Sequence, residues 1–196
     1  MASAEDAAVF LDRDGTLIRE VNYLSRPEEI EILPGVGDAL RSLREYGFKL
    51  IVVTNQSAVA RGRLSESKLA SIHDLLRAKL ACEGAVLDGI YYCPHHPTDG
   101  QGQYRIVCDC RKPKTGMVDQ AIKDFHLDAL ASYLVGDQAI DIELAKQVGA
   151  RGILICDGLP RAPADRAEVP IVTGLWEAAR WILSHERQRA GLGANQ

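Results

Sequence analysis

Asp12-Arg13-Asp14-Gly15-Thr16 follows the apolar run Ala8-Val9-Phe10-Leu11 and sets two carboxylates two positions apart, where a strand would leave a sheet. Asp12 there could attack phosphorus in line. Asp14, facing the same phosphate with a different geometry, could protonate a leaving alkoxide and later activate water. Gly15 allows the turn that brings the backbone close. Three further segments end apolar runs in the same way. Thr54-Asn55-Gln56-Ser57 follows Leu50-Ile51-Val52-Val53, and Arg111-Lys112 closes a long loop after Gly89-Ile90-Tyr91-Tyr92. Gly136-Asp137, with Asp141 four residues on, follows Tyr133-Leu134-Val135. Carboxylates gathered this closely repel unless a cation neutralises them, and a few hard oxygen ligands with room for water and phosphate suit Mg²⁺. The neighbouring Thr, Asn, Lys and Arg are donors suited to phosphoryl oxygens. The set predicts phosphoryl transfer.

A second cluster points to a different metal. Cys93-Pro94-His95 and Cys108-Asp109-Cys110 offer three thiolates and one imidazole at paired short spacing, a full tetrahedral Zn²⁺ set. Four protein ligands leave no position for water, so this zinc is expected to be structural and to hold the loop 93–113. Because Arg111 and Lys112 follow Cys110 directly, zinc would fix where two phosphate-binding cations stand. His96 is the competing fourth ligand; His95 is preferred because Cys-x-His mirrors Cys-x-Cys.

These residues need elements to bring them together. Short β-branched runs alternate with amphipathic stretches along the chain, the rhythm of βα units around a buried parallel sheet. Two further strand candidates are Gly152-Ile153-Leu154-Ile155 and the weaker Ile171-Val172. Helices are predicted over 36–46, 66–82 with Ser65 as N-cap, 115–125, 140–148 and 175–185, with Gly47, Gly84 and Gly149 as stops. The expected fold class is α/β: a Rossmann-like parallel sheet flanked by helices, with no large cap domain and a zinc-bound loop. Residues 1–190 form one domain and 191–196 a fraying tail. In an open sheet of this kind ligands bind outside the carboxyl ends of the strands, which is where the four segments lie.

Composition narrows the class. The 196 residues carry a net charge of −4 with no long Lys/Arg run, so the chain lacks the footprint of backbone-driven nucleic-acid binding. No segment has the ~20 apolar residues that span a bilayer, and the acidic start MASAEDAAVF is unlike a signal peptide. A cytoplasmic protein is expected, and five cysteines in a reducing compartment argue against a disulfide framework. Cys82 and Cys156 are read as core thiols. His73, His126 and His185 are read as surface or capping residues, and Arg61-Gly62-Arg63 as a solvated turn, with contact to an anionic substrate near the second strand end as a weak alternative. With no heptad seam, a monomer is the default.

FLDRDGT, VVTNQS, CRKPKTGM and VGDQAID, in this order over residues 9 to 141, resemble the four motifs of the haloacid dehalogenase (HAD) superfamily, in its small sugar- and histidinol-phosphatase branch. The resemblance implies Asp12 as nucleophile, Asp14 as acid/base and Thr54 and Lys112 as phosphoryl stabilisers. It implies Arg111 as a substrate-recognition residue and Mg²⁺ held by Asp12, the Asp14 carbonyl and Asp137. Glu20, Val21, Asn22 and Tyr23, with Asn55, Gln56 and Ser57, would contact a small phosphorylated sugar, and His95 is again assigned to zinc. Relatives often carry Lys where this chain has Gln138, a change that bears on contact with a second phosphate of the substrate. Taken alone, the Asp12-x-Asp14 pair is an ordinary turn and Asp137-x-x-x-Asp141 an ordinary helix start; Asp141 is therefore ranked as a supporting residue behind the metal ligands. Two rivals are a histidinol-phosphate phosphatase and a zinc-stabilised binding module.

Overall fold

A computed structural model describes residues 6–21, 24, 26–156 and 169–193. Six strands, β1 (Ala8–Leu11), β2 (Lys49–Asn55), β3 (Gly89–Cys93), β4 (Tyr133–Gly136), β5 (Arg151–Ile155) and β6 (Ile171–Val172), form one sheet in the order β3-β2-β1-β4-β5-β6. Every neighbouring pair is parallel, with Phe10 opposite Ile51 on one side and Leu134 on the other. The chain winds outward from β1 through β2 to β3, then returns to lay β4 on the other side of β1. That reversal opens a crevice at the carboxyl ends of β1 and β4.

Alternation along the strands separates two apolar layers. Val9, Leu11, Leu50 and Val52 face helices α1 (Val36–Tyr46), α3 (Glu66–Cys82) and α6 (Leu175–Gly193). Ala8, Phe10, Ile51 and Val53 face α4 (Gly116–Phe125) and α5 (Ala139–Val148). The sheet is thus covered on both sides, which is why its central strands are apolar throughout. Helix ends follow the expected chemistry. Ser65 Oγ accepts from Lys68 N–H at 3.2 Å, and Gly47 and Gly149 end α1 and α5 in the left-handed region. A short helix α2 (Ser57–Ala60) begins directly after β2. Among the described residues between β1 and α1, the only helical piece is the single turn Pro27–Glu29.

Several expectations are corrected. Helix α6 runs to Gly193 and not to 185; residues 194–196 lie outside the described residues. The core contacts of Ala178, Ala179 and Ile182 anchor it, the Arg189–Glu186 pair supports the exposed turn, and a helical glycine costs only ~1 kcal/mol. Cys82 is exposed, because the last turn of α3 points it away from the sheet. His73, on the inner face of α3, is buried. His185 is half-buried, stacked on Trp181 with ring centroids 5.1 Å apart. His126 does cap its helix, at φ +57°.

Candidate active site

Asp12 leaves β1 at the crevice, its N–H donating to the Val135 carbonyl of β4 at 2.9 Å. Gly15, at φ +76°, turns the chain back so that its N–H reaches the Ile18 carbonyl at 2.8 Å. A Cβ on Gly15 would collide with the Asp137 carboxylate, so this glycine is what lets the end of β4 approach the end of β1. Lys112 N–H donates to Asn55 Oδ1 at 3.0 Å and Asn55 Nδ2 donates to the Lys112 carbonyl at 3.2 Å, tying the long loop to β2. The Asp141 carboxylate accepts from Gln138 N–H at the start of α5, 3.1 Å away.

Charge is unbalanced there. Lys112 is 5% exposed, and its Nζ donates to Asp12 Oδ1 and to Asp141 Oδ1, each at 2.7 Å. Oxygens of Asp12, Asp137 and Asp141 lie within 4.8 Å of one another, three carboxylates against one ammonium. Burial opposes the Lys112 charge, yet Asp12 and Asp141 outweigh it and hold its pKa up. Burial pushes Asp12 up in spite of Lys112, helped by Asp141 and Asp14. Burial and then the charges of Asp12 and Asp141 raise Asp137 to about 7. Asp137 Oδ1 is buried without a hydrogen-bond partner among the described residues. A buried carboxylate oxygen left without a donor, inside a cluster short of positive charge, fits a hard divalent cation such as Mg²⁺.

A cleft of about 290 Å³ opens over Asp12 and Asp14. Of the residues expected to meet substrate, Glu20, Val21, Asn55, Gln56, Ser57, Arg111 and Gln138 line it, together with Thr54 and Lys112. Burial, then the charges of Asp14 and Asp12, raises the Glu20 pKa. Asn22 and Tyr23 lie outside the described residues. Asp137 borders the adjoining groove beside Gly15 and Thr16, and Asp141 stands behind Lys112. Arg61 does not line the cleft; it pairs with Asp99 of the long loop at 2.8 Å.

Sequence reasoning missed Arg13. It is 1% exposed, and its guanidinium touches Asp14, Gln56 Oε1 at 2.9 Å and His73 Nε2 at 3.3 Å. Gln56 Nε2 donates onward to Asp14 Oδ2 at 3.0 Å and to Thr54 Oγ1 at 2.8 Å. An arginine between two aspartates at a strand end was the available signal; that α3 would bring His73 to it is invisible in the spacing.

The structure also brings Cys93, His95, Cys108 and Cys110 together. Cys110 Sγ lies 3.2 Å from Cys93 Sγ and 3.3 Å from Cys108 Sγ, Cys93 lies 3.5 Å from Cys108, and His95 Nδ1 is 3.3 Å from Cys110 Sγ. Four zinc bonds of about 2.0 to 2.3 Å at tetrahedral angles require edges of about 3.5 to 3.8 Å, close to these values. His96 instead accepts from the backbone N–H of Asp99 at 3.0 Å. Arg111 Nη1 donates to the carbonyl of His95 and to Ser57 Oγ, both at 3.0 Å, so a residue of the sulfur–imidazole cluster also holds the cleft's arginine. Glu66, also missed, accepts from Tyr92 of β3 and Tyr104 of the loop at 2.7 Å each.

A protein-family model described as HAD-hydrolase-like matches residues 109–178. The D-glycero-beta-D-manno-heptose-1,7-bisphosphate 7-phosphatase of Haemophilus ducreyi is 48% identical over 145 residues, 74% of this chain and 79% of that protein. The protein of the same name from Escherichia coli K12 is 42% identical over 179 residues, 90% of this chain and 88% of its own. A crystal structure of the D,D-heptose 1,7-bisphosphate phosphatase from B. bronchiseptica, complexed with magnesium and phosphate, matches with a TM-score of 0.76 at 30% identity, covering 91% of this chain and 99% of that one. With an acidic cluster and a donor-lined cleft at the switch point of the sheet, and relatives this similar over most of its length, the chain belongs to the heptose-bisphosphate phosphatase family of the HAD superfamily and is a phosphatase.

Proposed function

We propose that this chain removes the C7 phosphate of D-glycero-D-manno-heptose 1,7-bisphosphate through an aspartyl-phosphate. The observation that carries the chemistry is the cluster of buried Asp12 and Asp141 with half-buried Asp137, held against the ammonium of Lys112. A binding module stabilised by zinc would have no use for that uncompensated charge. An Asp12 oxygen forms the bond to phosphorus as the bond from phosphorus to the sugar oxygen breaks, and Asp14 delivers a proton to the departing alkoxide. Asp14 then takes a proton from the water that attacks phosphorus, inorganic phosphate leaves, and Asp12 is regenerated. Lys112 and Thr54 steady the phosphoryl oxygens. Mg²⁺ bound by Asp12, the Asp14 carbonyl and Asp137 would supply charge neutralisation for the approaching phosphate. Zn²⁺ bound by Cys93, His95, Cys108 and Cys110 would be structural.

The sugar rests on the names of the relatives. Glu20, Val21, Asn55, Gln56, Ser57 and Arg111 are the proposed substrate contacts, with Gln138 near a second phosphate. The place of action is the cytoplasm, as a monomer, in the supply of activated heptose for lipopolysaccharide or another surface glycan.

Phosphate release assayed with Mg²⁺ on both anomers of the heptose bisphosphate and on histidinol phosphate decides the substrate. Asp12→Asn is expected to abolish release while leaving folding and zinc content intact; near wild-type turnover would remove Asp12 as nucleophile.

A further inference from the structure

Arg13 is an expensive residue to bury. Its guanidinium is withdrawn from water and, among the described residues, pairs with one carboxylate, that of Asp14; a charge pair of that kind adds little net stability over apolar packing. Its contacts converge on one group. Nε lies 3.2 and 3.1 Å from Asp14 Oδ1 and Oδ2, and Nη2 lies 2.9 and 2.8 Å from the same two atoms. A side-by-side fork would give two short and two much longer distances. Four similar ones mean that the nitrogen edge crosses the carboxylate edge, a contact that fixes where the carboxylate sits without lying along both oxygens. Gln56 adds a donor to Oδ2 only. Oδ2 thus accepts from three donors and Oδ1 from two, and Asp14 so held lines the cleft.

The far edge of the guanidinium is held as well. Nη1 faces His73 Nε2 at 3.3 Å, and His73 is 7% exposed, its ring against Tyr92 with centroids 5.7 Å apart. Burial, then the charges of Arg13 and Arg77, lowers the His73 pKa to about 3, so the ring is neutral and Nε2 can accept from Arg13. Helix α3 thereby reaches the site through one buried side chain.

We propose that Arg13 and His73 are positioning residues for Asp14: His73 orients the Arg13 guanidinium, which with Gln56 holds the Asp14 carboxylate where it meets the leaving oxygen. This rests on the reading of Asp14 as the acid. Acid catalysis is worth about 10²–10⁴ in rate and is sensitive to misplacement of about 1 Å. Lys cannot reproduce the planar, multidentate contact of Arg.

The test compares kcat/KM, which reports steps up to departure of the alcohol, on two Mg²⁺-supported substrates. One is the heptose bisphosphate, whose alkoxide needs a proton to leave; the other is p-nitrophenyl phosphate, whose phenolate does not. Asp14→Asn is expected to lose about 100-fold or more on the first and far less on the second. Arg13→Lys and His73→Phe are expected to lose roughly tenfold to 100-fold on the sugar phosphate and under about threefold on the aryl ester. His73→Gln, which returns an acceptor to the Nε2 position, should recover most of the loss. Equal losses on both esters, or no loss, in correctly folded Arg13 or His73 variants overturn the proposal while Asp14→Asn still discriminates. If Asp14→Asn itself fails to discriminate, the assignment of Asp14 as acid falls instead. Should Arg13→Lys not fold, the two His73 variants decide.

Discussion

Gly15 is the smallest residue on which the site depends. Its φ of +76° is strained for any L side chain, by about 1 to 2 kcal/mol, and its missing Cβ is the space into which the Asp137 carboxylate fits. Gly15→Ala is therefore expected to displace Asp137 and weaken Mg²⁺ dependence by roughly tenfold, about 1.4 kcal/mol, with zinc content unchanged. Titrating phosphate release against Mg²⁺ measures it, and an unaltered Mg²⁺ requirement would show that Asp137 does not hold the ion from this position. Residues whose partners follow from strand ends, such as Asp12, Asp137 and Lys112, could be read from the sequence because a parallel sheet collects those ends. Arg13 offered only its place between two aspartates, and His73 and Glu66 offered no signal, since each acts through a contact between elements. Cys82 misled because its apolar neighbours in sequence are not its neighbours on the helix.

At the scale of elements, strands and helices were legible where periodicity was strong. Helix α2, four residues long, is too short to leave a period, and α6 outran its expected end because glycines at a helix terminus weaken it without forbidding it. The loop after β3 was expected to be held by zinc. It has other anchors: Tyr104 on Glu66, Asp99 on Arg61, and Gln101 N–H on the Ala60 carbonyl at 2.8 Å. Cys108→Ser should then lose zinc, seen by elemental analysis, yet leave the loop tip docked. The damage falls on Arg111, whose guanidinium leans on the His95 carbonyl, so KM for the heptose bisphosphate should rise more than kcat falls. Unchanged metal content would refute the zinc assignment. A collapse of kcat at constant KM would instead mean that Lys112, two residues past Cys110, is what the cluster positions.

Over the whole molecule, the carboxyl end of the sheet carries an electrostatic debt in the metal-free protein that folding alone leaves open. Asp137 has an ordinary pKa of 3.8 and a folded value of about 7, so between those values the folded chain holds a proton that the unfolded chain has released. That stabilisation is present at low pH and is lost as pH rises through about 7. Mg²⁺ competes with the same proton and is favoured above it. Ion binding at 100 times its Kd adds about 2.7 kcal/mol, and in a chain of this length each kcal/mol moves Tm by roughly 2–4 °C. Saturating Mg²⁺ should accordingly raise Tm by roughly 5–10 °C at pH 8 and by clearly less at pH 6. Asp137→Asn removes both the proton site and a ligand, so its metal-free Tm should change less between pH 6 and pH 8, and most of the Mg²⁺-induced rise should vanish. An equal rise at both pH values, or one that survives in Asp137→Asn, would place the stabilising ion away from the carboxylates of β1 and β4.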